Sequence, residues 1–342
     1  MTALEPRRRF AVFLAACLVL TMAAAALAPL VGSVRIGPGD LWRALLGEGD
    51  PVVRTIVLQS RIPRVLVAVL AGAGLAVSGA VLQAILRNPL ADPFTLGVAS
   101  GGALGASLVI LLGGSAIGAS VLGLGLQYAA SMAGSLGTLL LILAAADRFG
   151  MSSGTIVLAG ISVNIIVTSS ILFIQYMSDI AQSHLIVRWL MGELDVWGAP
   201  PAAAMAAVVL PCVAVAVLMA GRLNHLAMGD LVAASRGIGV RRVFTVGVIL
   251  ASLVTGGIVA VCGPIAFVGL VVPHIVRLVA GHDNRFVIPL SAAAGALLLV
   301  VCDGVARTVV APGEIPVGVL TSILGGTALI ALLVFKRRAM GA

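Results

Sequence analysis

The chain holds one lysine, Lys336, among 342 residues. A P-loop needs a lysine inside G-x-x-x-x-G-K-[ST], where the ammonium reaches the terminal phosphates of ATP. Lys336 instead ends an apolar run and is followed by Arg337. An ATPase that drives this chain must therefore be another subunit. Charged residues of all kinds make up only 10% of the sequence. Of the 13 acids, only Asp303 falls within an apolar run, near one end of it. Carriers driven by protons or sodium place ionisable groups inside the membrane, so an ion-coupled secondary carrier is the weaker alternative. The nucleophile motif G-x-S-G, the zinc motif H-E-x-x-H and paired intramembrane aspartates are all missing, so the chain does not read as an enzyme. The four cysteines, Cys17, Cys212, Cys262 and Cys302, sit in or beside apolar runs without a C-x-x-C. They read as small buried hydrophobes, and no metal site is expected.

What is abundant is apolar surface: 61% of residues are hydrophobic and mean hydropathy is +1.18. A membrane-spanning helix needs roughly 20 mostly apolar residues. Ten such runs follow one another: Phe10–Val31, Ile62–Leu86, Phe94–Leu112, Ser120–Ala146, Gly154–Tyr176, Pro201–Ala220, Phe244–Cys262, Pro264–Gly281, Phe286–Val305 and Pro316–Phe335. None alternates with period two, so the class is all-α and polytopic rather than a barrel. The first run exceeds a signal-peptide core and reads as a retained span. Glycine, at 41 residues, favours close helix packing through small-xxx-small faces such as Gly72, Ala76 and Ala80. With the N-terminus in the cytoplasm, fourteen of the 21 basic residues fall on inner segments. Both termini are then cytoplasmic. The net charge of +8 reflects this topology, and no nucleic-acid partner is implied.

Polar segments are few. Ser33–Ser60 is an outer one. Ser178–Pro200 is another, where Leu185, Ile186, Trp189 and Leu190 predict a short amphipathic helix at the headgroup level. The longest inner segment, 221–243, carries an apolar stripe of Leu226, Met228, Leu231 and Val232 among glycines. This pattern predicts two short helices joined by a turn at Gly237–Gly239. A solvated connector has no need of the stripe, whereas a surface for a cytoplasmic partner does.

Three stretches then carry a family resemblance. They are Arg61-Ile-Pro-Arg64 with LAGAGLAVSGAVLQAILRNPLADPFTLGVASGGALGA (70–106), GPIAFVGLVVPHIVRLVAGHDNRFVIP (263–289), and Asp303-Gly-Val-Ala-Arg307 through Glu314-Ile-Pro-Val-Gly318 to the end. In family order and over nearly the whole chain, they resemble the FecCD-type permease subunits of ABC importers for iron chelates, haem and cobalamin. The resemblance implies a type II importer fold, one transmembrane permease domain over 1–342 with a coupling loop at 221–243, in a bacterial inner membrane. It implies as partners a second copy of the chain, two ATP-binding subunits that use ATP and magnesium, and a periplasmic substrate-binding protein. The chain itself would bind no cofactor, and lipid surrounds it.

The resemblance also assigns residues. Arg61, Arg64 and Arg307 would meet acidic residues of the binding protein, a task suited to bidentate guanidinium; the plain alternative is snorkelling to headgroups. Met228, Gly229, Asp230, Leu231, Ala234, Arg236, Gly237 and Gly239 match the helices that couple to the ATPase. Asn164 and Thr168, at i and i+4 in the fifth span, form with Gln175 a polar stripe, for interhelical hydrogen bonds or for lining the pathway. Arg87–Pro93 reads as a rigid turn or an inner gate. His274 and Arg277 read as an inter-helix hydrogen-bonding pair more readily than as haem ligands.

Overall fold

The computed structural model describes residues 6–32, 34–113, 120–121, 124–150, 152–310 and 313–340. Ser33, the first residue of the outer polar segment, lies outside them. The described chain folds as α1 (Pro6–Leu27), α2 (Pro38–Leu45), α3 (Pro51–Thr55), α4 (Ile62–Leu86), α5 (Val98–Leu111), α6 (Leu126–Phe149), α7 (Ser153–Met177), α8 (Ile180–Leu190), α9 (Pro200–Ala227), α10 (Asp230–Ser235), α11 (Val240–Cys262), α12 (Val268–Ala280), α13 (Asn284–Ala306) and α14 (Val317–Met340). One two-residue β pairing, Ser120–Val121 with Leu124–Gly125, precedes α6. The ten apolar runs become α1, α4–α7, α9 and α11–α14, one helix each. Among the described residues, seven helical stretches have the length and composition to cross a bilayer. Helices α5 and α12 are shorter because their runs begin with non-helical backbone. Pro93 and the left-handed Gly97 delay α5, and Pro264 and the left-handed Phe267 delay α12.

Helix α4 is the axis of the bundle, with α13, α9, α11 and α12 packed around it. Its small residues make that possible. A Cβ at Gly72 would overlap the carbonyl of Gly295 on α13, and one at Gly79 would overlap the carbonyl of Gly269 on α12. In lipid, helices associate through such close backbone approach. Gly79→Leu is expected to abolish monodisperse protein in size-exclusion chromatography, because the clash is with backbone and exceeds the ~1–3 kcal/mol of ordinary overpacking. Gly137→Ala, where nothing lies within 4 Å, is the matched control and should elute as wild type.

We call inner the end that bears Arg87, Asp230 and Arg241, after the charge distribution. Two segments depart from expectation. At the inner end, α9 runs on to Ala227, so loop 221–243 holds one short helix, α10, rather than two. The residues after Ala220 hydrogen-bond as a continuing helix, because Gly221 keeps a helical φ and the first glycine of the loop with positive φ is Gly229, at 125°. The turn at Gly237 forms as predicted, with φ 73°. At the outer end, the polar segment folds as α2, α3 and a π-helical stretch, Ile56–Arg61, that enters α4 without a break. The short amphipathic helix appears as α8, started by a reciprocal cap between Asp179 and Gln182, with Ile186 buried.

Candidate functional site

Three features stand along the bundle axis. The first is the inner loop. Helix α9 ends at Ala227, Met228 and Gly229 make the corner, and Asp230 starts α10. Ala233 and Leu226 are buried and anchor this corner. Leu231 is 88% exposed and Met228 66%, both at this corner, with Val232 also exposed. Asp230 pairs with Arg87, which follows α4 in the left-handed conformation at φ 49°. Arg87 Nε also donates to the Leu226 carbonyl at 3.0 Å. One side chain thus ties the inner end of α4 to both sides of the α9–α10 corner. The turn after Arg87 is fixed locally, since Asn88 Oδ1 accepts from Leu90 N at 3.0 Å. Ala234, Arg236, Gly237 and Gly239 complete the loop, and Arg236 reaches the His225 ring at 3.4 Å.

The second feature is a groove of about 550 Å³ along α7. Asn164, Thr168 and Gln175, predicted as one stripe, all line it. Ser100 of α5 donates to Asn164 Oδ1, and Ser322 of α14 faces the same space. The remaining lining is apolar, and no ionisable side chain contributes. The groove lies open on one side. Beside it, α7 leaves Ile165, Ile166, Leu172, Phe173 and Tyr176 exposed.

The third feature is an ionic cluster at the outer end. Arg64 Nε meets Asp303 Oδ1 at 2.8 Å and its Nη1 meets Glu314 Oε2 at 2.7 Å. Arg307 Nη2 lies 2.9 Å from Asp303 Oδ2, an ion-pair contact without hydrogen-bond alignment, and its Nη1 donates to the Val31 carbonyl at 3.0 Å. Arg61 donates to the carbonyls of Pro29 and Val34. All three arginines and Asp303 are buried. The sequence reading put these guanidiniums on the outer surface, facing a partner. In the structure they turn inward and are occupied by acceptors of this chain. The physical reason is that two carboxylates distant in sequence, Asp303 and Glu314, return to the same place. The exposed charges at this end are others, including Arg188, whose guanidinium forks onto Glu193 at 2.8 and 2.9 Å.

Arg277 makes the inter-helix bonds expected of it, to Gln83 Oε1, the Ala80 carbonyl and Asn284 Oδ1. Among the described residues no group of three or more His, Cys, Asp or Glu is placed to hold a metal ion. The four cysteines are free thiols, Cys262 and Cys302 buried and the other two half-buried. Sequence reasoning missed two elements, the Arg87–Asp230 tie and the Asp303–Arg307 pair. The second was signalled by i, i+4 spacing of opposite charges in α13.

The model of the FecCD transport family matches residues 18–335. The hemin transport system permease protein HmuU of Yersinia pestis is 36% identical over 334 residues, covering 97% of each chain. The vitamin B12 import system permease protein BtuC of Vibrio cholerae is 36% identical over 298 residues, covering 86% of this chain and 88% of its own. A solved chain, described as an inward-facing conformation of a metal-chelate type ABC transporter, superposes with a TM-score of 0.83 at 29% identity, covering 94% of this chain and 98% of that one. With its ten apolar helices and a family match over nearly its full length, the chain belongs to the FecCD transport family.

Proposed function

We propose that the chain is the permease of an ATP-driven importer that moves an iron complex, haem or cobalamin inward across the bacterial inner membrane. Membership of the family makes it an ABC-type transport permease; the cargo, the direction and the partner set are our reading. One observation carries that reading: an exposed apolar tip, Leu231 with Met228, stands at the inner end and is tied through Arg87 to the central helix. Apolar side chains exposed on a short inner loop fit a cleft on another protein, and since this chain has no P-loop of its own, an ATPase subunit is the partner we place there. Two copies would face each other across the open groove, with Asn164, Thr168, Gln175 and Ser322 on the pathway. A lining without ionisable groups gives a bulky chelate few strong holds and so lets it pass. A periplasmic binding protein would dock on the outer end, where Arg61, Arg64 and Arg307 brace the platform from beneath. Intact-complex mass measurement is expected to give two copies of this chain with two ATPase subunits, and the chain alone should not hydrolyse ATP. A single permease copy, or ATP turnover by the chain alone, would overturn the reading.

The ion-coupled alternative has one feature in its favour. Asp92, in the turn between α4 and α5, is buried, and burial pushes its carboxyl up to about 7 against a weaker opposing hydrogen bond from the Phe94 backbone. An acid that titrates near neutrality suits a proton carrier, yet Asp92 does not line the groove. Its folded value exceeds its unfolded value of 3.8. Stability should therefore fall as pH rises from about 4 to about 7, then level off. Asp92→Asn is expected to melt higher than wild type at pH 8 and to match it near pH 4, with ATP-driven uptake retained. Uptake abolished in Asp92→Asn of normal stability would favour the carrier.

A further inference from the structure

We propose that the inner-end cleft between α4 and α12 binds the headgroup phosphate of an anionic phospholipid of the inner leaflet, with an acyl chain lying in the apolar groove between α12 and α14. The cleft, of about 670 Å³, is lined by Gln83, Arg87, His274, Arg277, His282 and Asn284, among others, and by no aspartate or glutamate. Arg277 is the principal cation of the cleft. Among the described residues its hydrogen-bond acceptors are Gln83 Oε1, the Ala80 carbonyl and Asn284 Oδ1, all neutral, and it makes no ion pair. A part-buried guanidinium without a counter-charge draws an anion. The neighbouring inner cleft, which shares Arg87, differs because Asp230 and Asp147 line it and pair with Arg87 and Arg241; Arg277 is the cation that sets the first cleft apart.

The second observation is the shape of α12. Its other side forms one wall of a groove of about 490 Å³, lined by Val271, Ile275, Leu298, Leu324 and other almost wholly apolar residues. At 100° per residue, Val271, Ile275 and Leu278 form one stripe that joins the groove to the cleft. Ile275, Leu278 and Val279 are all exposed. A basic recess at the inner ends of the helices, with an apolar channel starting one turn away along α12, has the two-part form of a phospholipid. Basic pockets between helices on the cytoplasmic side hold anionic headgroups in this way. A free anion or an acidic side chain of a partner would use the recess and leave the channel unfilled.

The test uses the full chain, delipidated in neutral detergent, and native mass spectrometry of added lipid. Phosphatidylglycerol should be retained in preference to phosphatidylcholine, and a dihexanoyl form should be held more weakly than a long-chain one. Arg277→Gln should weaken retention about fivefold, the effect of about 1 kcal/mol per arginine near an anionic surface, and His282→Ala, which removes a ring N–H donor from the recess, should weaken it measurably but less. His282 is exposed, so its variant keeps the test alive if Arg277→Gln does not fold. Equal retention of the two lipids, unchanged retention in a folded variant, or equal binding of short and long chains would overturn the proposal. So would competition by millimolar inorganic phosphate, which marks a free-anion site. Displacement of the lipid by the ATPase subunit, which marks a protein partner in the cleft, would overturn it as well.

Discussion

Leu231→Asp will abolish ATP-driven uptake while the bundle still inserts in the membrane. Leu231 is 88% exposed, so the folded chain loses no internal contact when it is replaced. Surface substitutions of this kind change stability by about 0.5 kcal/mol or less. In the proposed complex the same side chain enters a cleft of the ATPase, where an uncompensated carboxylate costs on the order of several kcal/mol. The expected result is at least a hundredfold loss of ATPase co-purification, or ATP turnover uncoupled from transport, with unchanged elution of the permease itself. Asp230→Asn is the informative companion. It breaks the pair with Arg87 at a partly exposed site, where ion pairs contribute ~0–1 kcal/mol. It should leave ATPase recovery nearly intact and reduce the uptake obtained per ATP. Full uptake in Leu231→Asp would make the loop a plain connector.

The second large effect is on stability. Asp303→Asn should destabilise the folded chain by about 3–5 kcal/mol, the cost of breaking a buried pair by removing one partner. Asp303 is 1% exposed and sits between Arg64 and Arg307, so its loss leaves two buried guanidiniums facing each other with only Glu314 nearby. Glu314→Gln is the graded control: its side chain is 33% exposed, and water can replace part of what is lost. Thermal unfolding in detergent should rank wild type above Glu314→Gln and Glu314→Gln well above Asp303→Asn. Equal melting of the three would show the cluster to be energetically idle. The ranking also bears on docking, because arginines that hold the outer end together cannot be reversed in charge without disturbing it.

Much of the fold was legible because the bilayer writes a strong signal. Each spanning helix must satisfy its backbone internally and carry a long apolar run, so ten runs gave ten helices. The stripe of Asn164, Thr168 and Gln175 was legible for a related reason: in an apolar helix, three polar residues at helical spacing share a face whatever surrounds it. The burial of the outer arginines depends on tertiary information. Outer arginines look conspicuous under the positive-inside rule, yet nothing local to Arg64 tells that Asp303 and Glu314 will close on it. The inner loop was over-divided because its glycines read as breaks, although Gly221 stays helical and the backbone continues α9 to Ala227. A glycine permits a helix to end and does not oblige it to. The Arg87 tie was hidden for the same reason as the ionic cluster, since its partners, Leu226 and Asp230, lie far along the chain.

The most direct test of the account is uptake into proteoliposomes that contain this chain, its ATPase and its binding protein. ATP should be supplied on the ATPase side, with proton and sodium gradients collapsed by ionophores. The account predicts that ferric chelate, haem or cobalamin accumulates only with hydrolysable ATP and continues without either gradient. Accumulation that proceeds without ATP and stops when the gradient is removed would contradict it.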